Sequence, residues 1–596
     1  MTSNAAPAGP GTSGRPGDMP TLQFRSLPLR IVIAGQFGLE PGRLHRLDSD
    51  GVAGLLDRTS PSLSIRVADR LRDDGTELPV HLAFRHRRDF APAAVIRALP
   101  DLARAFAVRD ALRAGRSPGD VSDLPAVHRA LADRTAMRSP AAASPAAGVR
   151  TPSVDEPAGD SGDDSIDRLL DLVDTPGAPS GPAADPTADP ARRALSGFIS
   201  EVTRTSKRPS PRSEAPPADL ETTLGDQIAA VLDHPEFQAR EGAWAALRFL
   251  IRRIDREARI TVDVLEAGAG DAADALEATV PEDDADPAGP VRIVVDLTDY
   301  DPSDRDLARL RRLAAFGASR RAVVLANASA DFAGVPGAVA LAAMHDPETR
   351  FAEDRYAGWR SLRDDPDTNW LGLCLSRLLL RDAHDAHADR ALSFHAAQRV
   401  GRPLDAGVAP AVAEAILAAA ARTDWPCSVG TASKALVENL VLPAHPLDGF
   451  DAPVHPTLSV NAADSIADAG LITLVAERGR DQAHLLRLPS VRSAPGRGSA
   501  LPAALFQSQI VHGVQWNADR LFASAPPAVV RDRVQAYLGA LVRDTGAGSG
   551  ADVALENDDD GLVVLAIQVR SGARASPGAS MAFDIPLGAE DAERDG

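Results

Sequence analysis

The sequence predicts a mixed fold, in which a small α+β domain is joined by a linker to a larger α/β domain. With 596 residues, the chain exceeds what one hydrophobic core usually serves. Its 47 prolines and 46 glycines are unevenly spread, which is typical of linkers between folded parts. Strand-like and helix-like patterns alternate from about residue 218 onward, which favours a parallel sheet covered by helices.

The N-terminal part combines an arm with the small domain. Residues 1–26 are rich in Ala, Pro, Gly and Ser, and we interpret them as a disordered arm. Residues 27–138 are predicted to form the α+β domain. Its expected elements are an apolar strand around Ile31, Val32 and Ile33, half-buried strands at 63–67 and 78–84, a helix at 92–113 that Pro100 kinks or divides, and a helix at 124–137.

A Pro/Ala/Ser-rich linker is predicted at residues 139–217, with one short helix inside it at 165–174. This helix follows two aspartates and carries apolar side chains at helical spacing, namely Ile166, Leu169, Leu170 and Val173. An isolated helix of this length is marginal in water, so it needs a surface to lie on. That surface is either the body of the chain or the groove of a partner.

Residues 218–596 are predicted to form the α/β domain. Trp244, Leu247 and Ile251 lie on one apolar stripe of a long helix, which we interpret as packing between helices. The other expected elements are strands at 260–265, 291–297 and 322–326, helices at 303–316, 368–380, 409–422 and 501–522, and a hairpin of 552–555 with 562–570 that contains Val564 and Ile567.

Composition excludes several functional classes. A net charge of −19 argues against nucleic acid as the main partner, because phosphate binding needs a basic surface. No run approaches the ~20 apolar residues needed to cross a bilayer, so we expect no membrane insertion. Cys374 and Cys427 give no disulfide framework, which favours a reducing, cytoplasmic setting.

The sequence offers no convincing catalytic, cofactor or metal site. The phosphate-binding pattern GxxxxGK[ST] is absent, as are HExxH and GxSxG. His384 and His387, with aspartates beside them, are the best metal candidate, although a solvated connector fits the same residues. Residues 557–561 resemble part of a calcium loop but fit a hairpin turn better.

Two sets of motifs resemble two different protein families. LPLRIVIAGQF (27–37), RRDFAP with Asp89 and Phe90, and LPDLARAFAVRDAL (99–112) together resemble the small sheath subunit of type VI secretion systems, TssB/VipA. HPEF (234–237) with the Trp244 helix, DLTDYD (296–301), and GWRSLR followed by WLGLCLSRLLLR (358–381) resemble the large subunit, TssC/VipB.

The resemblance implies a natural fusion of two sheath partners and a mechanical role without enzymatic activity or cofactor. Copies of the chain would polymerise into a contractile sheath around an inner Hcp tube, on baseplate components, and contraction would propel the tube for effector delivery. In this family the AAA+ unfoldase ClpV grips a helix whose position matches Ile166, Leu169, Leu170 and Val173 here.

The resemblance also implies that neighbouring subunits exchange strands, here the strands with Ile31 and Ile33 and with Val564 and Ile567. Packing between helices would involve Trp244, Leu247 and Ile251. Two other interpretations stay open at this point: a divergent contractile-system or accessory adaptor protein, and a soluble α/β enzyme.

Overall fold

The computed structural model describes residues 23–138 and 218–587 and divides into two compact units. Within those ranges, residues 73, 118, 121, 256, 269–270, 283–285, 330, 336–339, 342–346, 396–398, 431–434, 445–451, 494–499 and 558–561, and the side chains of 132–138, are not described. The first unit combines residues 1–103 with 224–596, and the second consists of residues 104–223.

Helices and strands alternate along most of the described chain. The α-helices are α1 (Gly51–Thr59), α2 (Pro92–Ala98), α3 (Pro100–Arg113), α4 (Pro125–Arg138), α5 (Ala218–Leu232), α6 (Pro235–Ile251), α7 (Ala272–Thr279), α8 (Asp304–Arg320), α9 (Pro347–Ala352), α10 (Ala357–Arg363), α11 (Ala409–Thr423), α12 (Val460–Asp468), α13 (Leu501–Trp516), α14 (Ala518–Leu521) and α15 (Pro527–Arg543). The strands are β1 (Leu29–Gly35), β2 (Leu44–Arg46), β3 (Ser62–Ala68), β4 (Glu77–Ala83), β5 (Ile260–Glu266), β6 (Val291–Tyr300), β7 (Val323–Ala328), β8 (Leu371–Cys374), β9 (Arg377–Arg381), β10 (His384–Asp385), β11 (Arg399–Val400), β12 (Leu404–Gly407), β13 (Leu436–Val437), β14 (Val454–His455), β15 (Leu471–Ile472), β16 (Leu474–Ala476), β17 (Ala483–Leu485), β18 (Gly550–Asn557), β19 (Val563–Arg570) and β20 (Ser580–Pro586). The predicted mixture of helix and strand is confirmed.

The central sheet of the first unit has seven strands in the order β15-β8-β7-β6-β1-β5-β2. All neighbouring pairs are parallel except β2 with β5. Strand β1 therefore lies between two strands that follow it by more than 200 residues, with Leu29 opposite Ile260 on one side and Arg30 opposite Val291 on the other. The sheet consequently joins residues from both predicted domains.

Both faces of β1 are buried, as its continuous apolar run requires. Val32 and Ala34 belong to a core cluster that includes Leu276 of α7 and Leu310 of α8. Side chains alternate along a strand, so Ile31 and Ile33 point to the opposite face. Helices α11 and α13 also pack on the sheet, against β6 and β7.

Helix α6 begins where the HPEF motif predicts a helix start. His234 accepts a hydrogen bond from the backbone N–H of Glu236, and Pro235 occupies the first helical position, where its missing N–H costs nothing. The apolar stripe of α6 is buried, including Phe237, Trp244 and Leu247. The motif thus fixes where the helix starts and which face it buries.

The predicted strands and helices of residues 60–138 are confirmed. Strands β3 and β4 form an antiparallel hairpin with alternating burial. The expected break at Pro100 separates α2 from α3, because proline cannot continue the hydrogen-bond ladder of the preceding helix. In the second unit, Arg104 pairs with Asp123 at 2.7 Å and Arg113 with Glu221 at 2.8 Å.

The predicted helix at 368–380 is wrong. A short 3₁₀ helix (Pro366–Trp370) leads into β8 and β9 instead. All four residues of β8 are buried, and the strand pairs in parallel with β7 and β15. A short apolar run that is covered on both faces lacks the alternation typical of strands, so periodicity alone does not distinguish it from a helix.

The predicted helix at 501–522 is interrupted at Asn517, between α13 and α14. The side-chain amide of Asn517 donates to the carbonyl oxygen of Gly513 and to that of Arg25, and its Oδ1 accepts from the backbone N–H of Arg25 at 2.7 Å. Phe24 packs on Tyr537, with 4.8 Å between ring centroids. Phe24 and Arg25, which lie in the predicted arm, are therefore in contact with Tyr537 and Asn517, and residues 1–22 lie outside the described ranges.

Candidate functional site

The main candidate site is the junction through which residues 29–103 join the rest of the first unit. At its centre, Ile31 of β1 lies opposite Val262 of β5 and Ile293 of β6. Ile31 and Ile33 are 0% and 1% exposed. Both edges of β1 are paired within the chain, so exchange of this strand between chains would require one of these ladders to open.

Four charged side chains form a cluster beside β1, and two of them, Arg30 and Asp263, are buried. Arg30 Nε lies 2.6 Å from Asp263 Oδ2, and Arg46 Nε lies 2.9 Å from Asp263 Oδ1. Asp286 Oδ2 lies 2.7 Å from NH2 of Arg46 and 3.2 Å from NH2 of Arg30. The hydrogen bond from Arg46 holds the pKa of Asp286 down at about 2. Each buried charge therefore has an opposite charge in contact.

Helix α6 makes a second contact across the junction. The indole N–H of Trp244 donates to the carbonyl oxygen of Phe37 at 3.0 Å, and the two rings meet edge to face at a centroid distance of 5.3 Å. Trp244 and Leu247 are buried, and Ile251 at the end of the helix is half-buried. The indole thus satisfies a buried backbone acceptor while it contributes a large apolar area.

The RRDFAP motif acts at the same junction. Asp89 Oδ2 accepts hydrogen bonds from the backbone N–H groups of Arg85 and His86, both at 2.8 Å, and so fixes the loop. Phe90 then stacks on Phe84 at 4.1 Å, and both rings lie 6.1 Å from Phe237 of α6. The aromatic cluster explains why a Phe follows the Asp in this loop.

Sequence reasoning missed the polar side chains that bind backbone groups across the junction. Gln227 of α5 is fully buried; its Oε1 accepts from the N–H of Arg70 and its Nε2 donates to the carbonyl oxygen of Ala68. Glu266 accepts from the N–H of Leu39 at 2.9 Å, and burial raises the pKa of Glu266. No local pattern marks such residues, because their partners are distant in sequence.

Two family models match the two sides of this junction. The model described as type VI secretion system, VipA, matches residues 26–137. The model described as VipB, tail sheath N-terminal domain, matches residues 217–492. The chain is a fusion of a VipA and a VipB sheath domain. We refer to the two matched ranges as the VipA segment and the VipB segment.

The VipB segment also has a curated relative. Over 192 residues the chain is 26% identical to the type VI secretion system sheath protein TssC1 of Pseudomonas aeruginosa. The match covers 30% of this chain and 39% of the relative, so the chain spans about two-fifths of the length of that protein.

Two solved structures are similar to the fusion at low structural scores. One is the cryo-EM structure of the anti-feeding prophage baseplate, 6-fold symmetrised, with a TM-score of 0.35, 11% identity, and coverage of 57% of this chain and 78% of that one. The other is the helical sheath of the anti-feeding prophage in its contracted state, with a TM-score of 0.30, 12% identity, and coverage of 59% and 79%.

Within this fusion, β1 and β2 of the VipA segment are strands of the sheet that the VipB segment builds. The ion cluster, the Trp244 hydrogen bond and the aromatic cluster all join one segment to the other. Trp244 therefore packs between the two segments of one chain, and packing of Trp244, Leu247 and Ile251 between subunits stays a prediction.

Beyond both matched ranges lies a separate three-stranded antiparallel sheet in the order β18-β19-β20. The predicted hairpin is confirmed as β18 and β19, and β20 adds a third strand. Val564 and Ile567 are buried in the central strand β19. Gln535 of α15 holds β18, since its Nε2 donates to the carbonyl oxygen of Ala551 at 2.6 Å and its Oε1 accepts from the N–H of Val553 at 2.8 Å.

The predicted recognition helix, with Ile166, Leu169, Leu170 and Val173, lies outside the described residues. Its role stays a prediction. Exchange of β19 between chains likewise stays a prediction. Within this chain β18 and β20 pair with its two edges, so exchange would require one of these pairings to open.

The candidate metal residues do not converge. His387 Nδ1 contacts the carbonyl oxygen of Phe394 at 2.9 Å, whereas burial lowers the pKa of His384 to about 4. Among the residues that the structure describes within 23–138 and 218–587, no group of three or more His, Cys, Asp or Glu side chains is placed to hold a metal ion. Cys374 and Cys427 are buried free thiols, and burial raises the pKa of Cys427 to about 12, where a thiol is a poor nucleophile.

None of the described helices is long and apolar enough to cross a membrane.

Proposed function

We propose that this chain is a structural subunit that polymerises into the contractile sheath of a type VI secretion system. The observation that carries the proposal is the position of β1. A strand of the VipA segment lies inside the sheet of the VipB segment, so residues of both sheath partners form one sheet within a single chain. The role is mechanical and needs no catalytic group or cofactor.

In this proposal, copies of the chain are the first partner and the others follow from the family. The sheath encloses an inner Hcp tube, starts from baseplate components in the cytoplasm, and propels the tube when it contracts. Contraction is a switch between two packings of the same subunits. Support comes from the two matched families, one of which is described as a tail sheath domain.

Electron microscopy of the purified full-length chain tests the proposal. Long hollow tubes are the expected result, and discrete particles at every concentration and in every buffer, also with inner-tube protein added, would contradict it. Light scattering follows the same assembly in solution.

The C-terminal sheet is the proposed inter-subunit element, and Ala566 in the middle of β19 offers a matched pair of variants. Ala566 lies opposite Ala554 of β18 and Asp584 of β20. Ala566→Pro removes a ladder donor and should abolish tubes, whereas Ala566→Val suits a strand and should preserve them. Tubes from the proline variant would exclude this sheet from assembly.

The unfoldase ClpV is the proposed recycling partner, through Ile166, Leu169, Leu170 and Val173. Deletion of residues 165–174 should leave tubes intact and abolish co-purification with the unfoldase. Unchanged co-purification would remove this part of the proposal and leave the sheath role standing.

A further inference from the structure

Three arginines are buried in the described part of the chain, and they differ in their partners. Arg30, Arg109 and Arg292 are 2%, 3% and 2% exposed. Arg30 contacts Asp263 and Asp286, and Arg109 contacts Asp110 at 2.7 Å. Arg292 on β6 instead donates to the side-chain oxygen of Gln509, and its Nε has no hydrogen-bond partner among the described residues. No carboxylate within the described ranges forms an ion pair with it.

A buried guanidinium without a counter-charge is costly, because the interior solvates charge poorly. Burial lowers the pKa of Arg292 to about 10, which still leaves the side chain positively charged at neutral pH. At the two other buried arginines, Arg30 and Arg109, an aspartate in contact supplies the counter-charge. The lack of an ion pair at Arg292 therefore indicates that an anion from another molecule binds there.

A cavity of about 580 Å³ gives such an anion room. Arg292 lines it at the amino ends of three parallel strands, beside Leu29 of β1 and Ile260 of β5. The volume lies within the roughly 300–1,000 Å³ of typical ligand pockets. Leu27, Leu29, Ile260, Trp425 and Leu541 add apolar lining.

The remaining charged groups of the cavity restrict the kind of anion. Its exposed lining residues include four acids, Asp255, Glu257, Asp424 and Asp544, against one exposed base, Arg259. This acidic rim repels a multiply charged anion more strongly than a singly charged one. A guanidinium presents a planar fork of donors that matches a carboxylate.

We infer that this cavity binds a small organic monocarboxylate. Its carboxylate accepts hydrogen bonds from the guanidinium of Arg292, and its hydrocarbon part lies against the apolar lining. The cavity lies at one end of the junction, since Leu29 of β1 and Ile260 of β5 line it, but ligand binding there goes beyond the proposed sheath role.

Thermal unfolding of the full-length chain with four probes at equal ionic strength tests this inference. The probes are sodium butyrate, its neutral isostere butyramide, sodium chloride and trisodium citrate. Butyrate should raise the unfolding midpoint by several degrees and saturate, since ligand binding to the folded state stabilises it by mass action. The other three should give much smaller shifts. Equal shifts with butyrate and butyramide, a larger shift with citrate, or no shift with butyrate would overturn the inference.

Two arginine variants sharpen the test. Arg292→Met should lose the butyrate response, whereas Arg259→Met, which removes an exposed arginine of the same cavity, should keep it. A retained response in Arg292→Met would also overturn the inference. Calorimetric titration of the unmodified chain with butyrate and butyramide decides the matter even if Arg292→Met does not fold. Tube formation is scored separately, so failure here leaves the proposed sheath role untouched.

Discussion

Arg30 of β1 and Asp263 of β5 form an ion pair of 2.6 Å between Nε and Oδ2, with side-chain exposures of 3% and 1%. The pair joins the VipA segment to the VipB segment in the middle of the sheet, and Asp263 also contacts Arg46. Two separate proteins would have to desolvate these charges each time they associate. In the fusion, the ion pair forms as part of folding.

Asp263→Ala should lower the free energy of unfolding by about 3–5 kcal/mol, because it leaves Arg30 buried with fewer opposite charges. Urea unfolding measures the loss. Asp48→Ala is the matched control, since Asp48 pairs with Arg58 at exposures of 47% and 46%, and it should cost less than about 1 kcal/mol. Similar losses for the two variants would contradict a structural role for the buried pair.

Trp244→Phe should destabilise the chain more than Trp359→Phe, by about 1 kcal/mol. Both indoles are buried, yet only the Trp244 N–H bonds a backbone carbonyl, while the Trp359 Nε1 has no partner among the described residues. The two substitutions remove the same volume, so their difference reports the orphaned carbonyl oxygen of Phe37. Equal losses in urea unfolding would exclude a net contribution from that hydrogen bond.

A cut between the two segments should leave them associated. A protease site placed within residues 139–217 allows cleavage after folding, and the fragments should co-elute in size-exclusion chromatography, because β1 stays paired with β5 and β6. In urea the fragments should separate. Separation under native conditions would show that the linker, rather than the junction, holds the segments together.

Asp296 should make stability depend on pH. The carboxyl group is fully buried, accepts from the hydroxyl of Tyr300 at 2.5 Å, and has its pKa raised by burial from 3.8 to about 6. The folded state therefore holds this proton more tightly than the unfolded state. The contribution of Asp296 to the free energy of unfolding falls by about 3 kcal/mol in all as pH rises from about 3 to about 7, and is constant above that range.

Asp296→Asn removes this titration. From pH 4 to pH 7, the stability of the variant relative to the unmodified chain should rise by about 2 kcal/mol in urea unfolding. Asp552→Asn, at an aspartate that is 76% exposed, is the control, and its relative stability should stay nearly constant. Parallel pH profiles for Asp296→Asn and the unmodified chain would contradict the raised pKa.

Local pattern was enough to predict much of the secondary structure and the family. The run Ile31–Ile33 predicts a buried strand, HPEF predicts the start of α6, and Pro100 predicts the break between α2 and α3. These features depend on neighbours within a few residues of each other. The same logic fails at Leu371–Cys374, where burial on both faces removes the alternation typical of a strand.

The junction could not be predicted, because its partners are distant in sequence. Arg30 and Asp263 are 233 residues apart, and no local spacing connects them. Nothing in the sequence distinguishes Gln227 and Glu266 from other polar residues, because the backbone N–H groups that they bind, those of Arg70 and Leu39, are distant in the chain. Arg292 likewise looks like any strand residue until the structure shows that its buried Nε has no hydrogen-bond partner among the described residues.

The central position of β1 has a consequence for synthesis on the ribosome. The strand is made first, but its neighbour across Arg30 and Asp263 follows 233 residues later. At about 5–20 residues per second, β1 waits roughly 10–50 s for that partner. During this time its apolar run has neither of its two neighbouring strands to pair with, so the nascent chain must keep the strand from aggregating, by delay or with a chaperone, until β5 and β6 are made.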